Sequence, residues 1–280
     1  MKKVSLIGIV FTLLGIGVLA LALTRANLFG GLVSEASHDI KTVEYETLDE
    51  KRDGHLVAVS GPLTATGMLS DPDFGVSRKT VMLKRVVETY QWQKNCEDGC
   101  KYEKTWHEGL INSEGFEAGH ENPSATKYES HEFITENQSF GAYNLPKALI
   151  HKLTYDTTLG PDEISELYRG DLKVFNEYLT NSANPAEPQI GDYRISYRYV
   201  KDKTVTVVAK QVGDSFEEYH SSNKETLFEI DEGSETAEEF IKRVSGDNRG
   251  VNWILVGIGV VLLLIGLSSI ISKTRNTGKK

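Results

Sequence analysis

Two uncharged apolar runs stand at opposite ends of the chain, Val4 to Leu23 and Val251 to Ser272. At about 1.5 Å rise per residue, either run crosses the roughly 30 Å hydrocarbon core of a bilayer as a helix. No run between them is long and apolar enough to do so. The pattern predicts a transmembrane helix over 4–23, a water-facing domain over 25–250, a second transmembrane helix over 251–272 and a basic tail over 273–280. Met1-Lys2-Lys3 with Ala20-Leu21-Ala22 would also suit a cleaved signal peptide. The apolar core of such a signal is about 7–15 residues, shorter than this run, so a retained anchor is expected.

Between the runs the periods are mostly those of strands. Ala26 to Ser37 reads as a short glycine-containing connector. Val43–Leu48 and His55–Ser60 predict two strands joined as a hairpin by Lys51-Arg52-Asp53-Gly54. Gly61-Pro62 predicts a break or kink, with Leu63–Met68 continuing as a strand. Ser70-Asp71-Pro72-Asp73-Phe74-Gly75 is a turn, since Asp and Ser bond nearby backbone, Pro fixes φ and Gly tolerates positive φ. Its acids do not match the longer spaced loop of calcium hands. Thr80–Trp92, rich in Val, Thr, Tyr and Trp, predicts a long strand, and Lys101–His107 its antiparallel return. That return sets Tyr90 opposite Trp106.

Ile111–Tyr128 is polar and turn-rich, and His131–Ile134 suits a strand. Leu145, Leu149, Ile150 and Leu153 fall at helical spacing. Pro161-Asp162-Glu163 opens a second helix that Gly170 ends. Leu172–Leu179 fits either helix or strand. Tyr193–Val200 and Thr204–Val212 predict a hairpin turned by Lys201-Asp202-Lys203, and Thr226–Ile230 a further strand. Thr236–Val244 carries Ala237, Phe240, Ile241 and Val244 on one face. That face suits packing on the domain, with a bilayer interface as the alternative. The fold class expected is membrane-anchored α+β: a mostly β extracytoplasmic domain between two transmembrane helices.

Charge sets the orientation. Lys2 and Lys3 precede the first run; Lys273, Arg275, Lys279 and Lys280 follow the second. Basic flanks stay cytoplasmic, which places the domain on the opposite side. The chain holds 31 Lys+Arg against 40 Asp+Glu, and six of those bases lie in the tails, so the domain is acidic. Such a surface repels nucleic acid, which is excluded as a partner.

The two cysteines, Cys96 and Cys100, flank an Asp-Gly turn and suit a small disulfide loop. Free thiols, or half of a redox or metal pair, are the alternatives. Gly8 and Gly15 are seven apart, as are Gly259 and Gly266, a spacing that lets membrane helices approach closely. No HExxH, GxSxG, phosphate-loop or dinucleotide motif occurs. The seven histidines are scattered, and neither catalytic residues nor a metal or cofactor site is expected.

The ordered segments carry a resemblance. Leu69-Ser70-Asp71-Pro72-Asp73-Phe74-Gly75-Val76 precedes Val81–Trp92. Thr105-Trp106, Ile111-Asn112-Ser113 and Gly119-His120-Glu121-Asn122-Pro123-Ser124-Ala125 follow. Gly191-Asp192-Tyr193-Arg194-Ile195-Ser196-Tyr197 and Val205–Gln211 complete the series. From about residue 40 to 272 the chain resembles the transmembrane protein 43 family, also called LUMA. The resemblance implies an integral membrane protein with a large lumenal domain. It also implies self-association and, in the animal members of the inner nuclear membrane and endoplasmic reticulum, a link to envelope organisation through lamins and emerin. Animal members have further spans after the second. The expectation is therefore a bacterial relative in the inner (cytoplasmic) membrane, its domain periplasmic, with the reticulum or nuclear envelope as the eukaryotic alternative.

The function expected is a non-enzymatic scaffold or binding protein. Its expected partners are membrane lipids, further copies of itself and an unidentified membrane or envelope protein. The alternative is an extracytoplasmic hydrolase acting on lipid or envelope polymer, using His107, Glu108, His120 and Ser124 of the polar stretch 106–124.

Overall fold

A computed structural model describes residues 6–96, 99–168, 170–246 and 253–276. The chain opens with α1 (Leu6–Asp39), a single helix of 34 residues. The expected connector at 26–37 is therefore helical. Gly30 and Gly31 disfavour that by about 1 kcal/mol each, but Leu32 and Ala36, with Ile40 just past the helix end, are buried against the domain and hold the helix in place. Tertiary packing overrides propensity.

Next come β1 (Lys41–Glu44), β2 (Leu56–Ala65), β3 (Met68–Ser70) and β4 (Ser77–Lys79). The hairpin of β5 (Met82–Asn95) and β6 (Lys101–Glu108) follows, then β7 (His131–Ile134) and β8 (Gln138–Ser139). A short helix, α2 (Lys147–Ile150), leads to β9 (Thr157–Thr158) and α3 (Pro161–Leu167). Then come β10 (Lys173–Phe175), β11 (Tyr178–Thr180), β12 (Tyr193–Tyr199), β13 (Lys203–Val212) and β14 (Ser215–Glu217). The chain closes with β15 (Tyr219–His220), β16 (Thr226–Leu227), β17 (Glu229–Glu232), α4 (Ala237–Gly246) and α5 (Trp253–Asn276). Residues 251 and 252 of the expected second span lie outside the described residues, as do Val4 and Ser5 of the first.

Two main sheets form the domain. The first is β1-β2-β13-β14, with β17 also on β13 and β8 also on β2. One face carries Val57, Val59, Val205 and Val207 into a core with Phe140, Leu149 and Ile150. The other carries Leu56, Ala58 and Val208 against α1 and α4. A strand buried on both faces reads as a continuous apolar run, as β2 and β13 do. The second sheet, β10-β11-β12-β5-β6, packs Leu83, Val87, Ile195 and Tyr197 with Phe74, Leu159 and Ile164.

Both expected hairpins beside the first sheet are replaced by other pairings. β1 runs parallel to β2, Lys41 beside Val57, because the chain loops back through a turn of 3-10 helix at Glu50–Arg52 before β2 begins. β12 and β13 do not pair at all: β12 joins β5 and β13 joins β2. Residues 200–202 carry the chain from one sheet to the other. Periodicity identified these strands but not their partners, since partner choice depends on which buried face each must cover. The strand β2 also runs straight through Gly61-Pro62. Pro62 lies past the last β1 pair, Glu44 with Ser60, and the Tyr45 ring fills the space where a Gly61 side chain would stand.

The undecided stretch 172–179 is a hairpin turned at Asn176, whose φ is +49°. The amphipathic helix α4 packs inward, with Phe240 and Val244 buried.

Candidate functional site at the membrane-proximal junction

The spans meet along their glycines. A Cβ placed on Gly15 would fall 2.8 Å from the Gly259 carbonyl oxygen, and one on Gly8 2.9 Å from that of Gly266. On Gly259 it would strike Leu19 at 2.7 Å, and on Gly266 the Thr12 hydroxyl. Gly17 and Gly257 have open space around them. Backbones this close gain dispersion contacts that a larger residue would wedge apart. Gly15→Val should weaken the pairing by about 1–3 kcal/mol, the cost of overpacking a tight contact. Disulfide trapping between cysteines placed on the two helices would read this as a fall in yield, whereas Gly17→Val should leave the yield unchanged.

Past Leu23 the helix leaves the apolar segment without a break. Residues 26–39 form a stalk of about 21 Å at helical rise. One side of the stalk, Leu32 and Ala36, is buried with Ile40 just past its end and with Phe240 and Val244 of α4. On another side the β15–β16 hairpin clasps it. The Ser222 N–H and Oγ donate to Glu35 Oε2 at 2.9 and 2.7 Å, Tyr219 donates to Glu35 at 3.2 Å, and Asn223 Nδ2 donates to the Leu28 carbonyl at 2.7 Å. The Ser222 amide and hydroxyl hold the Glu35 carboxyl below its ordinary range. Burial, with Glu35 beside it, pushes the Tyr219 phenol up to about 12.

The end of the stalk is tied to the first sheet. Asp39 Oδ2 accepts the Leu56 N–H at 2.8 Å, and its Oδ1 meets His55 Nδ1 at 2.7 Å. Arg52 donates to the Asp39 carbonyl, and to that of Leu56 at 2.9 Å. Burial raises the Asp39 carboxyl, but the Leu56 amide and His55 outweigh it and lower it overall. On α4, Arg243 bridges Glu235 and Asp231 at 2.6 and 2.7 Å, and the Glu235 bonds raise its pKa. On the α1 side the span is thus joined to the first sheet by a continuous helix and by packed and hydrogen-bonded contacts.

Farther out, the β3–β4 turn drives a carboxylate inward. Gly75, at φ +68°, closes the turn by donating to the Asp71 carbonyl at 2.8 Å. Asp71 is fully buried. Arg85 Nη1 donates to both of its oxygens at 2.8 and 2.9 Å and to Asp73 at 2.7 Å; Tyr197 donates to Asp71 at 2.8 Å. The Phe74 ring lies 5.2 Å from the guanidinium. Burial alone would lower the Arg85 pKa, yet Asp73 and Asp71 outweigh it and raise it overall. Burial and Asp71 together push the Tyr197 phenol far up.

The family profile described as transmembrane protein 43 matches residues 84–277. The chain belongs to the transmembrane protein 43 family. Mouse and human transmembrane protein 43 are each 30% identical to it over 270 residues, covering 88% of this chain and 66% of theirs. The Drosophila melanogaster homologue is 25% identical over 256 residues, 81% of this chain and 68% of its own. The chain thus spans about two thirds of the curated relatives' length. No solved structure matches. The profile match covers most of β5 and all of β12, β13 and α5, and begins beyond the stalk.

Within this family member the other residues singled out from sequence fall elsewhere. Cys96 and Cys100 are joined as a disulfide at the tip of the β5–β6 hairpin, and Tyr90 packs on Trp106 with centroids 5.1 Å apart. A loop this small constrains the unfolded chain modestly, less than the roughly 3 kcal/mol of a 15-residue loop. Cys96→Ala should cost about 1–2 kcal/mol and raise amide exchange at the hairpin tip alone.

His107, Glu108, His120 and Ser124 form no common centre. His107 Nδ1 meets its own turn at Gly109, Glu108 pairs with Lys84 at 3.2 Å, and His120 stacks on Tyr102 at 3.9 Å. Among the described residues no hydrogen bond joins Ser124 to any of the three, and no group of His, Cys, Asp and Glu is arranged to hold a metal. Asn122 explains the polar stretch better. Its side chain accepts the Trp92 N–H at 2.7 Å and donates to the Trp92 carbonyl at 2.8 Å, standing in for a strand where β12 has ended. The stalk clasp and the Asp71–Arg85 pair escaped the sequence reading. Their one signal was an acid-rich turn ahead of a strand with Arg85 on a buried face.

Proposed function

We propose that the protein is a non-enzymatic, membrane-anchored scaffold that organises membrane or envelope assemblies by self-association, its domain held on the non-cytoplasmic face. The observation that carries the reading is the junction. A span that continues as a clamped stalk into a sheet core fixes the domain's attitude to the bilayer, which suits a part that must present one surface repeatedly. A freely diffusing catalyst has no need of it. Family membership and the basic flanks support the same reading. The periplasm of a bacterium and the lumen of the reticulum or nuclear envelope both fit the orientation, and fractionation with protease protection distinguishes them.

The test is crosslinking in native membranes at native expression. Ladders of dimers and higher species are expected; monomers alone would sink the scaffold reading.

A further inference from the structure

The first sheet has an open edge beside a groove. β1 hydrogen-bonds to β2 on one side. Among the described residues its other backbone edge has no partner. Next to it a groove of about 600 Å³ runs between the end of α1, β1 and the first turns of α4. The spacing of strand and helix is fixed, because the Ala237 N–H donates to Thr42 Oγ1 at 2.8 Å. Ile40, Ala237 and Ile241 give the groove an apolar floor, and Lys41 and Lys242 stand exposed on its rim.

Both lysines reach solvent and give the rim two positive charges. Among the described residues only Lys84, Lys147, Lys203 and Lys210 of the lysines have a carboxylate partner, so Lys41 and Lys242, like most, are left unpaired. Lys242 adds only a minor share to the lowering of Glu239, which is set first by its bonds to Thr236. Glu238 is the one acid of the lining.

An exposed strand edge is a template for another strand, and the charged Lys41 and Glu44 on the short β1 restrict which strand it accepts. A groove between such an edge and a helix adds side-chain selection to backbone pairing. We propose that this groove takes an extended acidic segment of a partner protein as an added strand on β1. The segment's backbone bonds the open edge, alternate side chains lie on the Ile40–Ile241 floor, and its carboxylates meet Lys41 and Lys242. The inference goes beyond the scaffold reading. Crosslinking that shows only monomers would sink self-association and leave this groove untouched, while failure here would leave crosslinked ladders standing.

The test uses the full chain in detergent micelles and fluorescence anisotropy with three ten-residue peptides. One alternates threonine and glutamate, one alternates threonine and lysine, and one is the acidic peptide N-methylated on every amide. Saturable binding is expected for the acidic peptide only. Lys41→Glu with Lys242→Glu should weaken it about tenfold, as two exposed pairs turned repulsive would. The methylated peptide needs no variant to fold, and its binding as well as the parent would overturn strand addition. Unchanged affinity in the charge-reversed chain, binding of the lysine peptide, or absence of saturation would each overturn the proposal. So would displacement by inorganic phosphate, which would mark a simple anion site, or by excess unlabelled chain, which would put a second copy in the groove.

Discussion

Arg85→Met should destabilise the domain by about 3–5 kcal/mol, the loss found when one partner of a buried ion pair is removed. The reason is Asp71. It is 0% exposed, and without the guanidinium its carboxylate keeps, among the described residues, only the Tyr197 hydroxyl and the Asp73 amide as donors. Asp71→Ala should cost somewhat less, because Arg85 retains Asp73, which reaches solvent. Replacing both by apolar residues should cost less than the sum of the two single changes, since a well-packed apolar pair can match a buried salt bridge. Thermal unfolding followed by Trp92 and Trp106 fluorescence measures all four corners of that cycle. Losses below about 1 kcal/mol in both single variants, or simple additivity, would mean that the cluster does not act as a unit.

Phe240→Ala should cost a similar amount, about 3–5 kcal/mol for a fully buried ring, but with a different footprint. Phe240 is 1% exposed and packs in the core shared by the stalk, α4 and the outer face of the first sheet. Its removal takes away the apolar contact that offsets Gly30 and Gly31 in the stalk. Amide exchange should rise across residues 28–39, in α4 and in the β15–β16 hairpin. The glycine-lined contact between the spans should stay protected, since it lies in the apolar segment and shares none of these residues. A uniform rise over the second sheet and the spans would show instead that the molecule opens as one block, and that the stalk is no separable element.

Both expectations rest on features of unequal visibility in the sequence. The two spans, the long β5 strand with its Cys-bounded turn, the α3 start at Pro161 and the inward face of α4 follow from local chemistry. So does the Asp71–Gly75 turn, because Asp, Pro and Gly act on their own backbone. The site is another matter. Glu35 meets Ser222 across the length of the domain, and nothing in either segment's period announces the other. The histidines and acids of the 106–124 stretch look chemical when read in a line, yet that stretch is held by Asn122 imitating a strand and by a His120–Tyr102 stack.

By itself, the sequence determined that two apolar helices bracket an acidic, mostly β domain, and to which family the chain belongs. Those properties are sums over consecutive residues: transfer of side chains into lipid, alternation along a strand, turn chemistry. Only the tertiary structure decided that β1 lies parallel to β2, that β12 and β13 part into different sheets, and that α1 runs on through two glycines to clamp the domain. Each of those choices is set by which buried faces cover one another, a long-range energy that exceeds local preference and that no window of neighbouring residues contains.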